Sequence, residues 1–246
     1  MQQNYSAKVQ LMALPLSTRL KSVSTFLCPT RGHREPTALP AWQPWLGAVG
    51  DYAGNVGDAG SIANPSLGVY VQDCWPVDYP INKGPRANGT MIATHAVYYA
   101  NGQVGRGSCG NELDSQLVRW DLPVRFKSIK DGLSKTLLFG EKYVPQNQLG
   151  KQGLDAGGVK QLDQSVWSAN GTPDVARAGG PGLAIAGSMD EPVVTAEAYV
   201  FGSHHPDICQ FVMSDGSVHA INVTIDTMTL GYLCNRHDGK ELTGEL

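Results

Sequence analysis

The dipeptide Asp215-Gly216 lies between two short segments rich in apolar residues, 210–213 and 218–222. A two-residue type I′ turn needs a positive φ at both central positions, and Asp and Gly tolerate that conformation. Farther along, Asp226 is a good N-cap for a helix that Gly239 would end. The sequence therefore predicts a C-terminal hairpin–helix unit over residues 196–246.

Glycine and proline are frequent, at 29 and 15 residues among 246. This composition favours short strands joined by turns and long loops. We expect a single domain over 1–246, with its sheet centred on a strand at 136–144 and on the hairpin. Long loops are expected at about 29–120 and 145–195, with 170–192 exposed. These signals fit an α+β or a mostly β domain, a β-sandwich included.

Charge and hydropathy exclude two classes of partner. A net charge of −3 creates no field that would gather nucleic acid or an anionic membrane. No run of about 18 apolar residues is present, so we expect no membrane span in this chain. The first residues also lack the basic and apolar regions of a signal peptide.

His205, ten residues before Asp215, suggests two interpretations. An imidazole and a carboxylate close together across a hairpin are able to bind a divalent ion or act as an acid–base pair. The alternative is structural: His205 hydrogen-bonds the turn, and Asp215 caps its own turn. We favour the structural interpretation, because no nucleophile or oxyanion site is evident beside the pair.

A second polar segment runs from Asp131-Gly132 to Glu141. A buried glutamate after a strand is able to act as a general base. An Asp-Gly-x-Ser-x-Thr pattern more often forms a turn whose polar side chains satisfy backbone N–H groups. We predict the turn.

Asp51, Asn55 and Asp58 offer oxygen ligands separated by glycines, which is one way to chelate calcium. The segment is not an EF-hand loop, since Ala53 occupies the third position and no bidentate glutamate follows. We predict a loop stabilised by Asx turns, with calcium as the alternative.

Tryptophans on loops are candidates for ligand contacts. Trp42, Trp45 and Trp75 lie in glycine- and proline-rich stretches, where aromatic rings stack on sugars or anchor a protein partner. The alternative is that they pack as lids over the sheet.

The five cysteines form no CxxC pair, which makes a zinc ribbon or a thioredoxin-like site improbable. Cys209 and Cys234 lie on neighbouring elements of the C-terminal unit and are able to meet in a disulfide. The alternative is that all five are reduced, since spacing alone does not establish a bridge.

Four segments together resemble one family. They are Phe26-Leu27-Cys28-Pro29-Thr30, Asp51-Tyr52-Ala53-Gly54-Asn55, the segment from Asp131-Gly132 to Gly140-Glu141, and His205 followed by nine residues and Asp215-Gly216. In this combination, from about residue 20 to the end, the chain resembles a set of planctomycete prepilin-like proteins of unknown function. Those proteins are similar to the pseudopilins of type II secretion.

The resemblance implies a pilin-like α+β fold, in which an antiparallel sheet packs on an N-terminal anchor helix that is largely absent from this chain. The surface that faces such a helix would then be exposed. The shared residues are expected to be structural rather than catalytic: Cys28, Pro29, Asp131, Gly132, Glu141, His205, Asp215 and Gly216. No cofactor is implied beyond the calcium alternative.

The function implied is that of a non-enzymatic, exported structural protein, a subunit of a secretion system, a surface filament or the cell envelope. Its partners would be other pilin-like subunits or envelope proteins. One alternative is an extracellular module that binds a solute or glycan through the tryptophan-bearing loops. A third hypothesis is a metal-dependent hydrolase at His205 and Asp215.

Overall fold

The computed structural model describes residues 14–38, 46–58, 88–91, 95–100, 103–106, 116–121, 124–152, 161–166, 175–190, 200–240 and 242. Its largest element is a five-stranded sheet in the order β10-β9-β6-β2-β8. The strands are β2 (Tyr52–Asp58), β6 (Leu137–Glu141), β8 (Ala176–Gly179), β9 (Ile208–Met213) and β10 (Val218–Asn222). All neighbours are antiparallel except β2 and β8, which are parallel.

Smaller elements complete the described chain. β3 (His95–Ala100), β4 (Gln103–Arg106) and β5 (Gln116–Asp121) form an antiparallel sheet in the order β4-β3-β5. β1 (Thr37–Ala38) pairs in parallel with β7 (Lys151–Gln152). The α-helices are α1 (Leu16–Arg19) and α2 (Thr227–Cys234), and single 3-10 turns are formed by Ser24–Phe26, Pro29–Arg31, Phe126–Ser128, Leu133–Lys135 and Gln146–Gln148.

This combination of a mixed sheet and a few helices confirms the α+β class. Within the described ranges, no helix is both long and apolar enough to cross a membrane.

The C-terminal hairpin and helix lie where the sequence predicts them. β9 and β10 pair in register from Val212 opposite Val218 to Ile208 opposite Asn222. The Asp226 side chain accepts a hydrogen bond from the Thr229 amide, as expected of an N-cap.

The turn of the hairpin differs from the predicted type I′. Gly216 has a φ of 90°, but Asp215 is not among the described residues with positive φ. The Gly216 amide donates to the Met213 carbonyl at 3.0 Å, and the Met213 amide donates to the Ser217 carbonyl at 2.8 Å. These bonds close a three-residue connection, in which a turn is followed by a glycine bulge.

One face of the five-stranded sheet carries the main apolar core. Phe211, the central member of a buried row on β9, lies directly opposite Gly140 of β6. A Cβ atom at Gly140 would meet the Phe211 ring at 2.6 Å, so the glycine makes room for the aromatic side chain. Helix α2 closes this core, whose buried members are Leu137, Ile185, Phe201, Cys209, Phe211, Met213, Ile221, Leu230, Leu233 and Cys234.

Two long stretches predicted to be loops contain strands of this sheet. Residues 52–58, interpreted above as an Asx-turn loop, form β2, which lies between β6 and β8. Residues 176–179, placed in an exposed excursion, form the buried strand β8. Both strands are rich in small residues, which allow neighbouring backbone and side chains to approach closely; Met91, for example, lies against Gly54.

The described cysteines are not bridged. Cys209 and Cys234 both lie in the apolar core, yet each is a free thiol, as is Cys28. The alternative of a disulfide between Cys209 and Cys234 is therefore wrong. Cys74 and Cys109 lie outside the described residues.

Candidate functional site

Three segments far apart in the sequence converge beside the end of β6. Cys28 precedes the 3-10 turn that begins at Pro29, Glu141 is the last residue of β6, and His205 lies in the loop before β9. The backbone amide of Cys28 donates to Asp51 Oδ2 at 2.7 Å. The loop that carries His205 is fixed by Ser203, whose hydroxyl donates to the Ile208 carbonyl and accepts from the His205 amide.

The side chains of Cys28, Glu141 and His205 meet at His205 Nε2. Cys28 Sγ lies 3.4 Å from this nitrogen, and Glu141 Oε1 also lies 3.4 Å from it. The three ligand-type atoms all lie within 4.8 Å of one another. The other ring nitrogen of His205, Nδ1, lies 3.0 Å from the Thr30 hydroxyl. The imidazole is therefore held on one side by a hydroxyl and presents its Nε2 to a thiol and a carboxylate.

Burial differs among these groups. Cys28 and Glu141 are buried, while the His205 side chain is 24% exposed. Burial, with a further contribution from the Glu141 carboxylate, raises the pKa of the Cys28 thiol. Glu141 Oε2 accepts from the Gln210 amide at 2.8 Å, but the buried Oε1 accepts no hydrogen bond. The cluster thus opens toward solvent only on the His205 side.

A network of buried charges lies behind this cluster. Asp51 pairs with Arg31 at 3.0 Å and with Arg34 at 2.6 Å, and Arg34 also pairs with Asp163 at 2.6 Å. Lys142 Nζ lies 3.8 Å from the same Asp163. Apart from Arg34, every member of this network has a fully buried side chain: Arg31, Asp51, Lys142 and Asp163. An unpaired charge at any of these buried positions would be costly.

The network shifts the pKa values of its members. Burial alone would raise the pKa of Asp51, but the hydrogen bond from Arg34 and the charges of Arg31 and Arg34 hold it below its usual value. Burial lowers the pKa of Lys142 to about 8.

The network also ties the N-terminal segment to the sheet. The Arg31 guanidinium donates to the carbonyls of Lys142 and Gly202, at 2.5 and 2.9 Å. The network therefore links the segments that carry Cys28, Glu141 and His205.

His205 and Asp215 do not form a pair. His205 precedes β9 and Asp215 follows it, and six residues of strand at about 3.3 Å each span roughly 20 Å. Asp215 instead accepts from the amide and hydroxyl of Ser217, at 2.9 and 2.7 Å. The metal-dependent hydrolase built on His205 and Asp215 is therefore contradicted by the structure, and Asp215 caps its own turn.

The calcium alternative fails for a similar reason. Asp51 directly precedes the seven-residue strand β2 and Asp58 ends it, so the two are too far apart to share one ion. The Asp51 carboxylate is occupied by Arg31 and Arg34, and Asp58 accepts from Asn88. Asn55 lies between them and donates to the carbonyls of Leu137 and Cys234.

The remaining sequence candidates have other positions. Asp131 accepts from the amides of Asp238 and Gly239, at 2.8 and 2.9 Å, and so fixes the chain after α2. Gly132 has a φ of 103°, which suits glycine in the turn before β6. Trp42, Trp45 and Trp75 lie outside the described residues.

Comparison with known proteins gives a family assignment without a function. A family model described as "Protein of unknown function (DUF1559)" matches residues 2–228, most of the chain. No curated protein and no solved structure matches. The chain belongs to the DUF1559 family of proteins of unknown function.

Proposed function

We propose that the protein is a non-enzymatic structural subunit of a cell-envelope or secretion assembly, similar in role to a pseudopilin. Its partners are other pilin-like subunits or further copies of this chain. The observation that carries the proposal is an apolar row across the face of the five-stranded sheet opposite α2.

The row follows from the strand register. Phe139 of β6 lies opposite Val212 of β9, which lies opposite Val218 of β10. Directly opposite residues of antiparallel strands point to the same face. Met91 extends the row on the other side, because it lies against Gly54, the residue of β2 opposite Phe139. The row thus crosses four strands.

Exposure distinguishes this face from the opposite one. Val218 is 65% exposed and Met91 is 42% exposed, while Phe139 and Val212 are half-buried. The opposite face is closed by α2 and its apolar core. A contiguous exposed apolar surface on a folded domain is typical of a site of protein association. In pilin-like proteins, to which the sequence motifs are similar, a helix packs against one face of the sheet.

Site-specific photocrosslinking in the native cells tests the proposal. A photoreactive amino acid replaces Val218 in one variant and Met228 in another, and covalent adducts are identified by mass spectrometry. Met228 is the matched control because it is also apolar and 48% exposed, but belongs to α2 on the opposite face.

We expect the Val218 variant to form adducts with a second copy or with another pilin-like envelope subunit, and the Met228 variant to form few or none. Equal crosslinking at the two positions, or none at Val218, would contradict the proposal.

A further inference from the structure

The two distances from His205 Nε2 to its thiol and carboxylate neighbours fit a tetrahedral metal centre, and the three donor atoms all lie within 4.8 Å of one another. In a tetrahedral zinc site, the bonds from the metal are about 2.3 Å to sulfur and about 2.0–2.1 Å to nitrogen and oxygen. The tetrahedral angle then places a sulfur and a nitrogen ligand about 3.5 Å apart, and a nitrogen and an oxygen ligand about 3.4 Å apart. Cys28 Sγ and Glu141 Oε1 each lie 3.4 Å from His205 Nε2. Among the described residues, this is the one group of three His, Cys, Asp or Glu side chains so arranged.

A carboxylate oxygen without a conventional hydrogen bond points to the same position. Glu141 is fully buried, and its Oε1 accepts no hydrogen bond although Oε2 is satisfied by the Gln210 amide. This oxygen has only the long contact with His205 Nε2 at 3.4 Å and the neighbouring Cys28 thiol, and a weakly satisfied buried carboxylate is unfavourable. A cation between Oε1, Sγ and Nε2 would satisfy it.

The arrangement does not fit a thiol nucleophile with an orienting acid. In such a triad the cysteine contacts one imidazole nitrogen, and the acid binds the other. Here the thiol and the carboxylate both face Nε2, while Nδ1 faces the Thr30 hydroxyl. A thiol, a carboxylate and an imidazole whose donor atoms lie within 4.8 Å of one another are instead typical of metal ligation.

The surroundings resemble the outer shell of a metal site. Metal-ligating histidines usually bind a polar group through the second ring nitrogen, which fixes the ring, and Thr30 occupies that position at 3.0 Å. Asp51 holds the Cys28 backbone amide at 2.7 Å. The His205 side chain is 24% exposed, so solvent reaches the cluster from that side.

We propose that Cys28, Glu141 and His205 form a zinc-binding site with one coordination position open to water or to a ligand atom of a partner. Thiolate, imidazole and carboxylate together suit Zn²⁺, a divalent ion of borderline softness, better than Ca²⁺ or Mg²⁺, which prefer oxygen alone. Binding releases the thiol proton to solvent as the Zn–S bond forms.

Metal titration of the reduced, chelator-treated full chain tests the site. Co²⁺ serves as the optical probe, because a Co²⁺–thiolate bond gives a charge-transfer band, and Zn²⁺ displacement of Co²⁺ then gives the zinc affinity. We expect one ion per chain, and loss of the band in Cys28→Ser. Thr30→Val, which removes only the outer-shell hydroxyl, should weaken binding by about 10- to 100-fold.

Two variants guard against misfolding as the explanation. His205→Gln and Thr30→Val alter partly exposed or exposed side chains, so an unchanged circular dichroism spectrum is expected while His205→Gln loses the ion. His219→Gln is the matched control and should bind as the wild type does. The proposal is overturned if the wild type takes up no stoichiometric ion, if the charge-transfer band survives in Cys28→Ser, or if His205→Gln binds like His219→Gln.

Discussion

Replacing Asp51 by asparagine tests whether the buried charge network holds the N-terminal segment on the sheet. The substitution keeps the shape of the side chain and removes its charge. In the wild type, the carboxylate accepts from the Cys28 amide and pairs with Arg31 and Arg34. Asparagine leaves the buried Arg31 guanidinium without its counter-ion and turns an amide N–H₂ toward one of the arginines.

The magnitude follows from burial. The side chains of Asp51 and Arg31 are both fully buried, and breaking such a pair on one side costs about 3–5 kcal/mol. That is a large part of the ~5–15 kcal/mol that stabilises a typical domain. For a chain of this size each kcal/mol shifts Tm by roughly 2–4 °C, so we expect Tm to fall by roughly 6–20 °C.

Urea and thermal unfolding followed by circular dichroism measure this effect. Asp215→Asn is the matched control, because Asp215 is exposed and its carboxylate hydrogen-bonds to Ser217 of its own turn; its unfolding midpoint should stay close to that of the wild type. If Asp51→Asn unfolds at the same midpoint as Asp215→Asn, the network does not fix the segment and the reasoning is wrong.

Three further predictions concern the core. Gly140→Ala places a Cβ within 2.6 Å of the Phe211 ring and should cost about 1–3 kcal/mol in urea unfolding; a neutral result would contradict the packing described. Asn55→Ala removes the side-chain amide that donates to one buried carbonyl on β6 and to another on α2. The free energy of unfolding, measured with urea, should fall by about 1–3 kcal/mol for each carbonyl left unsatisfied. Burial raises the pKa of the Cys234 thiol, so above about pH 8.5 the unfolded chain loses a proton that the folded chain keeps. Stability should therefore fall with rising pH above that value, by up to about 1.4 kcal/mol per pH unit for this thiol, and Cys234→Ala should show a shallower fall between pH 7 and 10.

The parts of the fold that were predictable are those set by local rules. The hairpin, the Asp226 cap and the strand at β6 depend on turn residues, capping and alternation within a few positions. The sequence predicts the structural role of Asp215, because an aspartate before a glycine has a local partner, here Ser217. For this hairpin the predicted turn type is wrong, because the observed register leaves three residues, not two, between the paired strands.

The sequence does not predict the central strand β2, because Tyr52–Asp58 contains two glycines and the polar residues Asn55 and Asp58. Such a composition is typical of loops. In the structure both faces of the strand are covered, so small residues and satisfied polar groups replace the usual apolar alternation. Asn55, for example, donates to two backbone carbonyls on different elements.

The cluster around His205 was also beyond local reasoning. Its partners are 64 and 177 residues away along the chain, and no periodicity relates positions so far apart. The one signal was that Cys28, Glu141 and His205 each belong to a segment shared with the same family. In the structure these three segments meet in one cluster of side chains, although they are far apart in the sequence.

The most direct test of the proposed structural role is the location, intact mass and N-terminal sequence of the protein isolated from its native cells. The account predicts recovery from the envelope fraction in an assembly larger than a monomer, with an N-methylated residue and an apolar helix at the mature N-terminus. Recovery as a cytoplasmic monomer that begins at Met1 would contradict it.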